Sequence, residues 1–441
     1  MTAEIAILSP SGIALAADSA VTISNKKVYN TANKLFTLSK EQPVGIMIYD
    51  AADLWGIPWE TIIKEFRQSL GNEKFASLSE YVDRWWNFLS SSRIVIPQET
   101  RDRYKNSMAD PLLEEIKQQL DKKAQEHLAQ AGSITDNKTK ELFLELLTEY
   151  EKLILSAPYA DGFDDKRFNE EKIEFVDTVE KSISNILSNL ASLLNPQEKQ
   201  KLTEICLKVY YVDYVIMRRT GIVIAGFGTD EIYPKIATYI FEAAYDKSIK
   251  KFFLTGKSNI DKDVFSTAIT PFAQDEMVRT FICGIDPRIE TFASLLLKDI
   301  LSQLPDKLDP LKDSENENIV EKIKDSLKTA GPQLADAFAQ RVSSYIQANN
   351  IDPIVGMVAA LPKDELAAMA ESLVNLTVFK RKVSGDIETV GGPIDVAVIS
   401  KGDGFIWVKR KHYFKPELNL SFLRRYGINT CQYSQDEQQY V

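Results

Sequence analysis

Residues 1–50 read MTAEIAILSPSGIALAADSAVTISNKKVYNTANKLFTLSKEQPVGIMIYD, and this stretch decides the fold. Its apolar runs are short, and the turn signals Pro10-Ser11-Gly12 and Ser24-Asn25 separate them. Runs of this kind predict strands. They lie at residues 5–8, 12–16, 35–38 and 44–49. The segment therefore predicts an antiparallel sheet that begins at residue 2.

Helical patterns dominate the middle of the chain. Apolar residues recur at helical spacing near residues 62–70 and 78–89, almost throughout 90–215, and again over 286–377. One stripe predicts a helix that packs its apolar face on its neighbours, rather than a cofactor or membrane contact. It consists of Val176, Val179, Ile183, Ile186, Leu187, Leu190 and Leu194. The chain closes with two apolar runs, at 393–399 and 405–408, that predict a hairpin.

Strands at both ends of the chain with helices between them predict an α+β fold whose sheets are completed by late strands. We divide the chain into three parts on this pattern. Residues 1–90 form the first part of the sheet-containing fold, and residues 91–215 form a helical insertion. Residues 216–441 form the second part, with extra helices at about 300–360.

Composition excludes several classes of function. The formal charge of −10 and the lack of a Lys/Arg block argue against a nucleic-acid partner. No long apolar run and no basic leader appears, so we expect a cytoplasmic protein without a membrane contact. The two histidines and three widely spaced cysteines offer no metal site, and no cofactor is expected.

Three features near the start of the chain carry the chemistry together. Thr2 follows the initiator Met1 directly, Asp18 is the penultimate residue of the block 12–19, and Lys34 follows a polar turn. Each feature alone has an ordinary explanation, as a common second residue, a strand end and a surface lysine. Their spacing is more informative than any one of them.

That spacing resembles the proteasome β-type subunits, which carry an N-terminal Thr nucleophile, a Gly-x-x-x-A-A-D-S strand end and a Lys at matching separations. The similarity continues, with one inserted residue, through 45–53, and residues 389–396 look like the strand entry of the bacterial Anbu group. It covers 2–90 and 220–410 in outline. The resemblance implies an N-terminal-nucleophile (Ntn) hydrolase fold, a four-layer αββα sandwich with large helical insertions, and a homo-oligomer.

The resemblance implies that Thr2 is the nucleophile once Met1 is removed. A Thr hydroxyl needs a base, and its own freed α-amino group, with a reference pKa near 8, can serve when no His is available. Lys34 would favour the alkoxide-like state of the hydroxyl. Asp18 would supply the counter-charge that a partly desolvated ammonium needs.

The same resemblance implies further site residues. Tyr49 takes the place of the glycine whose N–H holds the oxyanion, and the carboxylate of Asp50 follows it, which makes activity uncertain. Glu388 is the positional counterpart of a family carboxylate, usually Asp. Thr270 stands where the family has a catalytic Ser, although a packed strand end explains it as well.

The resemblance also implies an apolar pocket for a substrate side chain. Backbone groups of Thr22 would bind an extended peptide. The pocket would be lined by Val21, Ala32, Phe36, Met47, Ala51 and Trp55. Core packing alone explains Phe36 and Met47 equally well.

These observations favour a cytoplasmic threonine peptidase or amidohydrolase that acts on a peptide or protein. One alternative is an inactive or weakly active scaffold on the same fold that binds a protein partner through the helical insertion. A second is a non-proteolytic amide hydrolase or acyl-transfer enzyme. Removal or retention of Met1 separates the enzyme from the scaffold, because a retained Met1 blocks the amine of Thr2.

Overall fold

Strands from both ends of the chain pair in one sheet of the structure, a computed structural model. It describes residues 2–23, 27–90, 97–107, 109–160, 162–214, 219–243, 249–253, 267–311, 317–384, 390–412, 414–415 and 418–419. The chain divides into two units, residues 1–35 with 266–441, and residues 36–265. Antiparallel sheets and helices occur in both units, which confirms the α+β class. The four-layer αββα arrangement stays a prediction.

The strands are β1 (Ala3–Ser9), β2 (Gly12–Ala17), β3 (Val21–Ile23), β4 (Lys27–Tyr29), β5 (Leu35–Thr37), β6 (Val44–Asp50), β7 (Asp53–Leu54), β8 (Ile57–Pro58), β9 (Arg219–Gly226), β10 (Lys235–Ala243), β11 (Ile249–Phe253), β12 (Ala268–Ala273), β13 (Asp395–Ser400) and β14 (Gly404–Lys409). The α-helices are α1 (Trp59–Leu70), α2 (Leu78–Leu89), α3 (Gln98–Asn106), α4 (Asp110–Ala131), α5 (Asp136–Leu155), α6 (Asp165–Leu193), α7 (Pro196–Lys208), α8 (Glu276–Cys283), α9 (Pro287–Gln303), α10 (Glu317–Ile346), α11 (Asp352–Ala359) and α12 (Lys363–Val383).

The sheet of the first unit has the order β12-β1-β2-β13-β14, and its neighbouring strands are antiparallel. The predicted hairpin at the end of the chain is β13 and β14, and β13 pairs along β2. Gly12 permits this pairing, because a Cβ at its φ of 154° would lie 2.5 Å from the carbonyl oxygen of Ile399. Late strands therefore complete the sheet, as the sequence predicts.

Helix α12 covers one face of this sheet. Its buried side chains Leu366, Ala370 and Leu373 share an apolar cluster with Ala3 and Ile5 of β1. Side chains alternate between the two faces along a strand, so the odd-numbered residues at the start of β1 face α12. Thr2 and Glu4 consequently lie on the opposite face.

The sheet of the second unit has the order β11-β10-β9-β6-β5. Helices α1 and α2 bury an aromatic-rich face in the same apolar cluster as β6 and β9. Trp59 of α1 lies in this cluster, and its Nε1 donates to Thr220 Oγ1 at 3.3 Å. The helices predicted near residues 62–70 and 78–89 are confirmed.

Helices α4 to α7 of the second unit have an apolar core of their own. Val179, Ile183 and Leu187 of the predicted stripe are buried in it. The capping box that begins α7 is present, since Asn195 Oδ1 accepts the Glu198 N–H at 2.9 Å. In the described part of residues 97–214 no strand joins either five-stranded sheet. The three-part division made from the sequence remains a prediction. The two compact units divide the chain at other places, after residues 35 and 265.

Candidate active site

The predicted residues of the first unit meet at the start of β1. Thr2 precedes β1, Asp18 follows β2 directly, and Lys34 lies just before β5. The β1–β2 register places Glu4 opposite Ala17, and Asp18 continues this pairing, since its N–H donates to the Ala3 carbonyl at 3.1 Å. A tight hairpin thereby holds Asp18 beside the first residues of the chain.

Asp18 is fully buried and accepts four hydrogen bonds. Its Oδ1 accepts from Lys34 Nζ and from the Ala3 N–H at 3.2 Å. Its Oδ2 accepts from the N–H groups of Ala20, at 3.3 Å, and Gly391, at 2.9 Å. These donors fix the carboxylate, which in turn fixes the ammonium. Sequence reasoning assigned this partnership to Asp18 and Lys34, and the structure brings the two together.

Thr2 makes a contact that the sequence analysis did not include. Its Oγ1 donates to Glu4 Oε2 at 2.9 Å, and Lys34 Nζ lies 3.2 Å from Glu4 Oε1. Thr2, Glu4 and Lys34 expose only 4%, 2% and 6% of their surfaces. The ammonium of Lys34 is thus shared between two carboxyl groups, Asp18 and Glu4, and one of these holds the Thr2 hydroxyl.

The Glu4 carboxyl group is electrostatically unusual. Burial raises its pKa, and the neighbouring Asp18 raises it further, while Lys34 and the Thr2 hydroxyl lower it. Burial dominates, so the pKa of Glu4 rises to about 8. The sequence holds a signal for this residue. Glu4 is a lone charge in an apolar strand and stands two residues from Thr2, hence on the same face.

A second buried ion pair lies in the same unit. Lys411 Nζ pairs with Asp395 Oδ2, and the Lys411 N–H donates to Asp395 Oδ1 at 2.8 Å. Burial lowers the pKa of Lys411, Asp395 opposes this, and Lys34 and Asp18 contribute smaller, opposite effects. The pair is therefore close enough to the Thr2 site to influence its charges. Sequence reasoning did not predict it.

Tyr49 and Asp50, the predicted oxyanion residues, end β6 in the second unit. Asp50 has a φ of 69°, a left-handed conformation that Asp tolerates better than most residues other than Gly. The Tyr49 ring lies over Gly221 of β9, where a Cβ would approach the ring to 1.8 Å. The bulk of Tyr49 is therefore buried against its neighbouring strand.

Thr270 lies in β12, away from Thr2. Thr270 pairs with Ala6, whereas the Thr2 carbonyl accepts the Gln274 N–H at 3.2 Å. Thr270 and Gln274 are four residues apart, which is about 13 Å along a strand. Thr270 therefore lies outside hydrogen-bond range of Thr2. Glu388 lies outside the described residues.

The predicted substrate residues divide between the units. Val21 and Ala32 belong to the first unit and are partly exposed, and Thr22 is in β3 of the same unit. Phe36, Met47, Ala51 and Trp55 belong to the second unit, and all four are buried. Phe36 and Trp55 lie in its apolar cluster. Their burial agrees with the core-packing interpretation, and a pocket role stays a proposal.

The described residues contain no group of three or more His, Cys, Asp and Glu side chains placed to hold a metal ion. In the same part of the chain, none of the helices is long and apolar enough to cross a bilayer.

Comparison with known proteins gives a weak, distant relationship in fold. No family model and no curated protein matches the chain. Among solved structures, it is similar to Anbu (ancestral beta-subunit) from Yersinia bercovieri, with 7% identity, 96% of this chain and 93% of that chain covered, and a TM-score of 0.26. It is also similar to the helical assembly of the Anbu complex from Pseudomonas aeruginosa, with 8% identity, 96% and 94% coverage, and a TM-score of 0.26. Similarity of this degree carries no weight for the activity of the chain.

Proposed function

We propose that the chain is a threonine-type amide hydrolase that uses Thr2 to cleave a peptide or protein substrate in the cytoplasm. The single observation that carries the proposal is the buried Thr2 hydroxyl, which is held by Glu4 beside the Lys34–Asp18 pair. Burying three ionisable side chains is costly unless they are paired, and such clusters concentrate at functional sites. A strand needs no such cluster to pair or to pack.

The proposed chemistry begins when the Thr2 hydroxyl attacks an amide carbonyl. Lys34 stabilises negative charge on Oγ1, and Asp18 holds the ammonium in position through its four hydrogen bonds. The freed α-amino group of Thr2 is one available proton acceptor. The tetrahedral intermediate then expels the amine and leaves an acyl group on Thr2, which water removes. A backbone N–H, for which we propose Tyr49, stabilises the oxyanion.

Fluorogenic peptide amides with apolar residues before the scissile bond test the proposal. We expect slow release of the amine and one acyl group bound per chain in the steady state. Intact mass should show that Met1 is absent. A folded protein that retains Met1 and releases no amine from a broad set of peptides would contradict the enzyme and favour the scaffold.

The scaffold remains the second candidate because the helical core of the second unit has an open groove. The groove has a volume of about 570 Å³ and lies along α6 and α7. Its apolar wall includes Phe168, Val176 and Leu207, together with Ile173, which is 75% exposed. Lys172 and Glu204 line it as well. A groove of this kind suits an amphipathic segment of a protein partner.

Replacing Asp50 by glycine is expected to raise the rate of Thr2 acylation several-fold. A carboxylate near a developing oxyanion opposes it, and more strongly in a dry site. Glycine adopts the φ of 69° at this position without strain, so the turn should survive. Stopped-flow acylation of Asp50→Gly and of the wild type decides the point. An equal or slower rate in the variant would show that Asp50 does not inhibit.

We further propose that the chain forms a homo-oligomer through α9, which has no buried residue. Ile289, Phe292 and Ile300 recur at helical spacing and are 57%, 64% and 52% exposed, and Ile319 of α10 is 62% exposed. Large contiguous apolar patches are rare on the surfaces of monomers and often mark protein interfaces. Phe292→Asp should lower the mass measured by light scattering, whereas Thr291→Asp, one residue away, should not. A wild-type monomer, or an unchanged mass in Phe292→Asp, would contradict the proposal.

A further inference from the structure

We propose that Glu4, rather than the α-amino group, accepts the proton of the Thr2 hydroxyl and passes it to the departing amine. The proposal rests on the function proposed above and adds a catalytic residue to it. Glu4 contacts the reacting atom itself, since Thr2 Oγ1 donates to its Oε2 at 2.9 Å. A general base must lie within this range of the proton that it removes.

The ionised side chains of Lys34, Asp18 and Glu4 together carry one excess negative charge, which one proton would neutralise. Among the side chains, one ammonium, Lys34, faces two carboxyl groups, so one proton makes these three side chains neutral together. Asp18 accepts four hydrogen bonds. Glu4 accepts the Thr2 hydroxyl at Oε2, and its Oε1 lies at ion-pair distance from Lys34 without a well-directed hydrogen bond among the described residues. Glu4 is therefore the carboxyl group that takes up and releases the proton.

Among the described residues, the charges that shift the pKa of Glu4 are those of Lys34 and Asp18, both in the first unit. Asp18 follows β2 and Lys34 precedes β5. The Lys411–Asp395 pair lies near enough for Lys34 and Asp18 to affect the pKa of Lys411. Burial then leaves the pKa of Glu4 at about 8, close to an ordinary working pH, where a base and its conjugate acid are both populated.

The reaction balances with Glu4 as the only proton carrier. The Oγ1–H bond of Thr2 breaks as its proton moves to Glu4 Oε2, and Oγ1 bonds to the amide carbon, whose π electrons move to the carbonyl oxygen. When that pair returns, the carbon–nitrogen bond breaks and the Glu4 proton goes to the leaving nitrogen. Water then repeats both steps on the acyl-Thr2 ester and regenerates Thr2 and Glu4.

Glu4→Gln is the decisive variant, because it keeps the shape and can still accept from Oγ1 but cannot accept the proton. We expect its acylation rate to fall about 10²- to 10⁴-fold. Glu4→Asp should recover part of this loss, since a carboxylate remains. The wild-type acylation rate should rise with pH up to about 8. The acylation rate of Glu4→Gln should not show this rise. Acylation of Glu4→Gln at the wild-type rate would overturn the proposal in favour of the α-amino group.

Two measurements test Glu4 without any activity, so failure of the proposed function is distinguishable from failure of this inference. The first is stability. Because the pKa of Glu4 is raised above its unfolded value of 4.5, the folded state binds one more proton between 4.5 and about 8, and wild-type stability falls over this window as pH rises. Glu4→Gln should not show this fall, so the unfolding midpoints of the two proteins should diverge. If the unfolding midpoints of the two proteins change with pH in the same way, the raised pKa of Glu4 would be refuted.

The second measurement is infrared spectroscopy at about pH 6, where Glu4 holds its proton. One neutral carboxyl band should be lost in Glu4→Gln, and Thr2→Ala should shift it, because the 2.9 Å hydrogen bond disappears. A band that does not respond to Thr2→Ala would overturn the contact on which the inference stands. A responsive band in a protein that never acylates would refute the amide hydrolase and leave the Thr2–Glu4 contact intact.

Discussion

Thr2→Ala is expected to reduce amide hydrolysis to background while the fold survives. The substitution removes the proposed nucleophile, and catalysis by the remaining groups cannot form the acyl intermediate. The hydroxyl donates a hydrogen bond to Glu4, so its loss should change the free energy of unfolding by about 1 kcal/mol. Steady-state hydrolysis and thermal melts measure the two quantities.

Two controls make the Thr2→Ala result specific. Thr2→Ser keeps a hydroxyl and should retain activity. Thr377→Ala removes another buried hydroxyl of the same unit, one that donates to the Leu373 carbonyl within α12, and should leave activity unchanged. Hydrolysis by Thr2→Ala at the wild-type rate would remove Thr2 from the mechanism altogether.

Lys34→Met should abolish activity and cost about 3–5 kcal/mol of stability, because it leaves Asp18 and Glu4 buried without their shared cation. Part of this cost should disappear as pH falls, since a buried carboxyl group without its cation takes up a proton more readily. Chemical unfolding at two pH values, with activity measured where the variant is folded, tests both statements.

Lys409→Met is the matched control for Lys34→Met. Lys409 pairs with Glu371 in the same unit, but its side chain is 53% exposed, and exposed pairs contribute little to stability. We expect a change below about 1 kcal/mol and normal activity. Equal effects of the two variants would show that the buried Lys34 pair contributes no more than an exposed one.

Much of the first unit could be predicted from local patterns. The strands β1, β2, β13 and β14 follow from short apolar runs between turn residues, and the spacing of Thr2, Asp18 and Lys34 anticipated the buried pair. These predictions succeed because a tight hairpin fixes which residues face each other. The β1–β2 turn leaves Asp18 one place for its side chain, beside Ala3.

The contacts that the sequence did not predict depend on strand register and on pairing between residues that are far apart in the chain. The sequence indicates that Glu4 shares a face with Thr2, but it does not show that this face is buried beside Lys34. The Lys411–Asp395 pair forms only because the last hairpin turns back on itself. Thr270 illustrates the same limit, since its distance from Thr2 depends on which residues of β12 pair with the start of β1.

The exposed side of α9 could not be predicted for a different reason. Its apolar spacing at Ile289, Phe292 and Ile300 is that of any helix packed on a core. Spacing identifies an apolar face but does not show whether the same chain covers it. Only the structure shows these side chains more than half exposed.

The most direct test of the account is to locate an electrophile that reacts with N-terminal Thr residues. The purified wild-type protein is treated with the reagent, and intact mass and peptide sequencing by mass spectrometry follow. We expect a chain without Met1 that carries a single adduct on Thr2, and no adduct in Thr2→Ala. A folded chain that retains Met1, or that carries its adduct on any other residue, would contradict it.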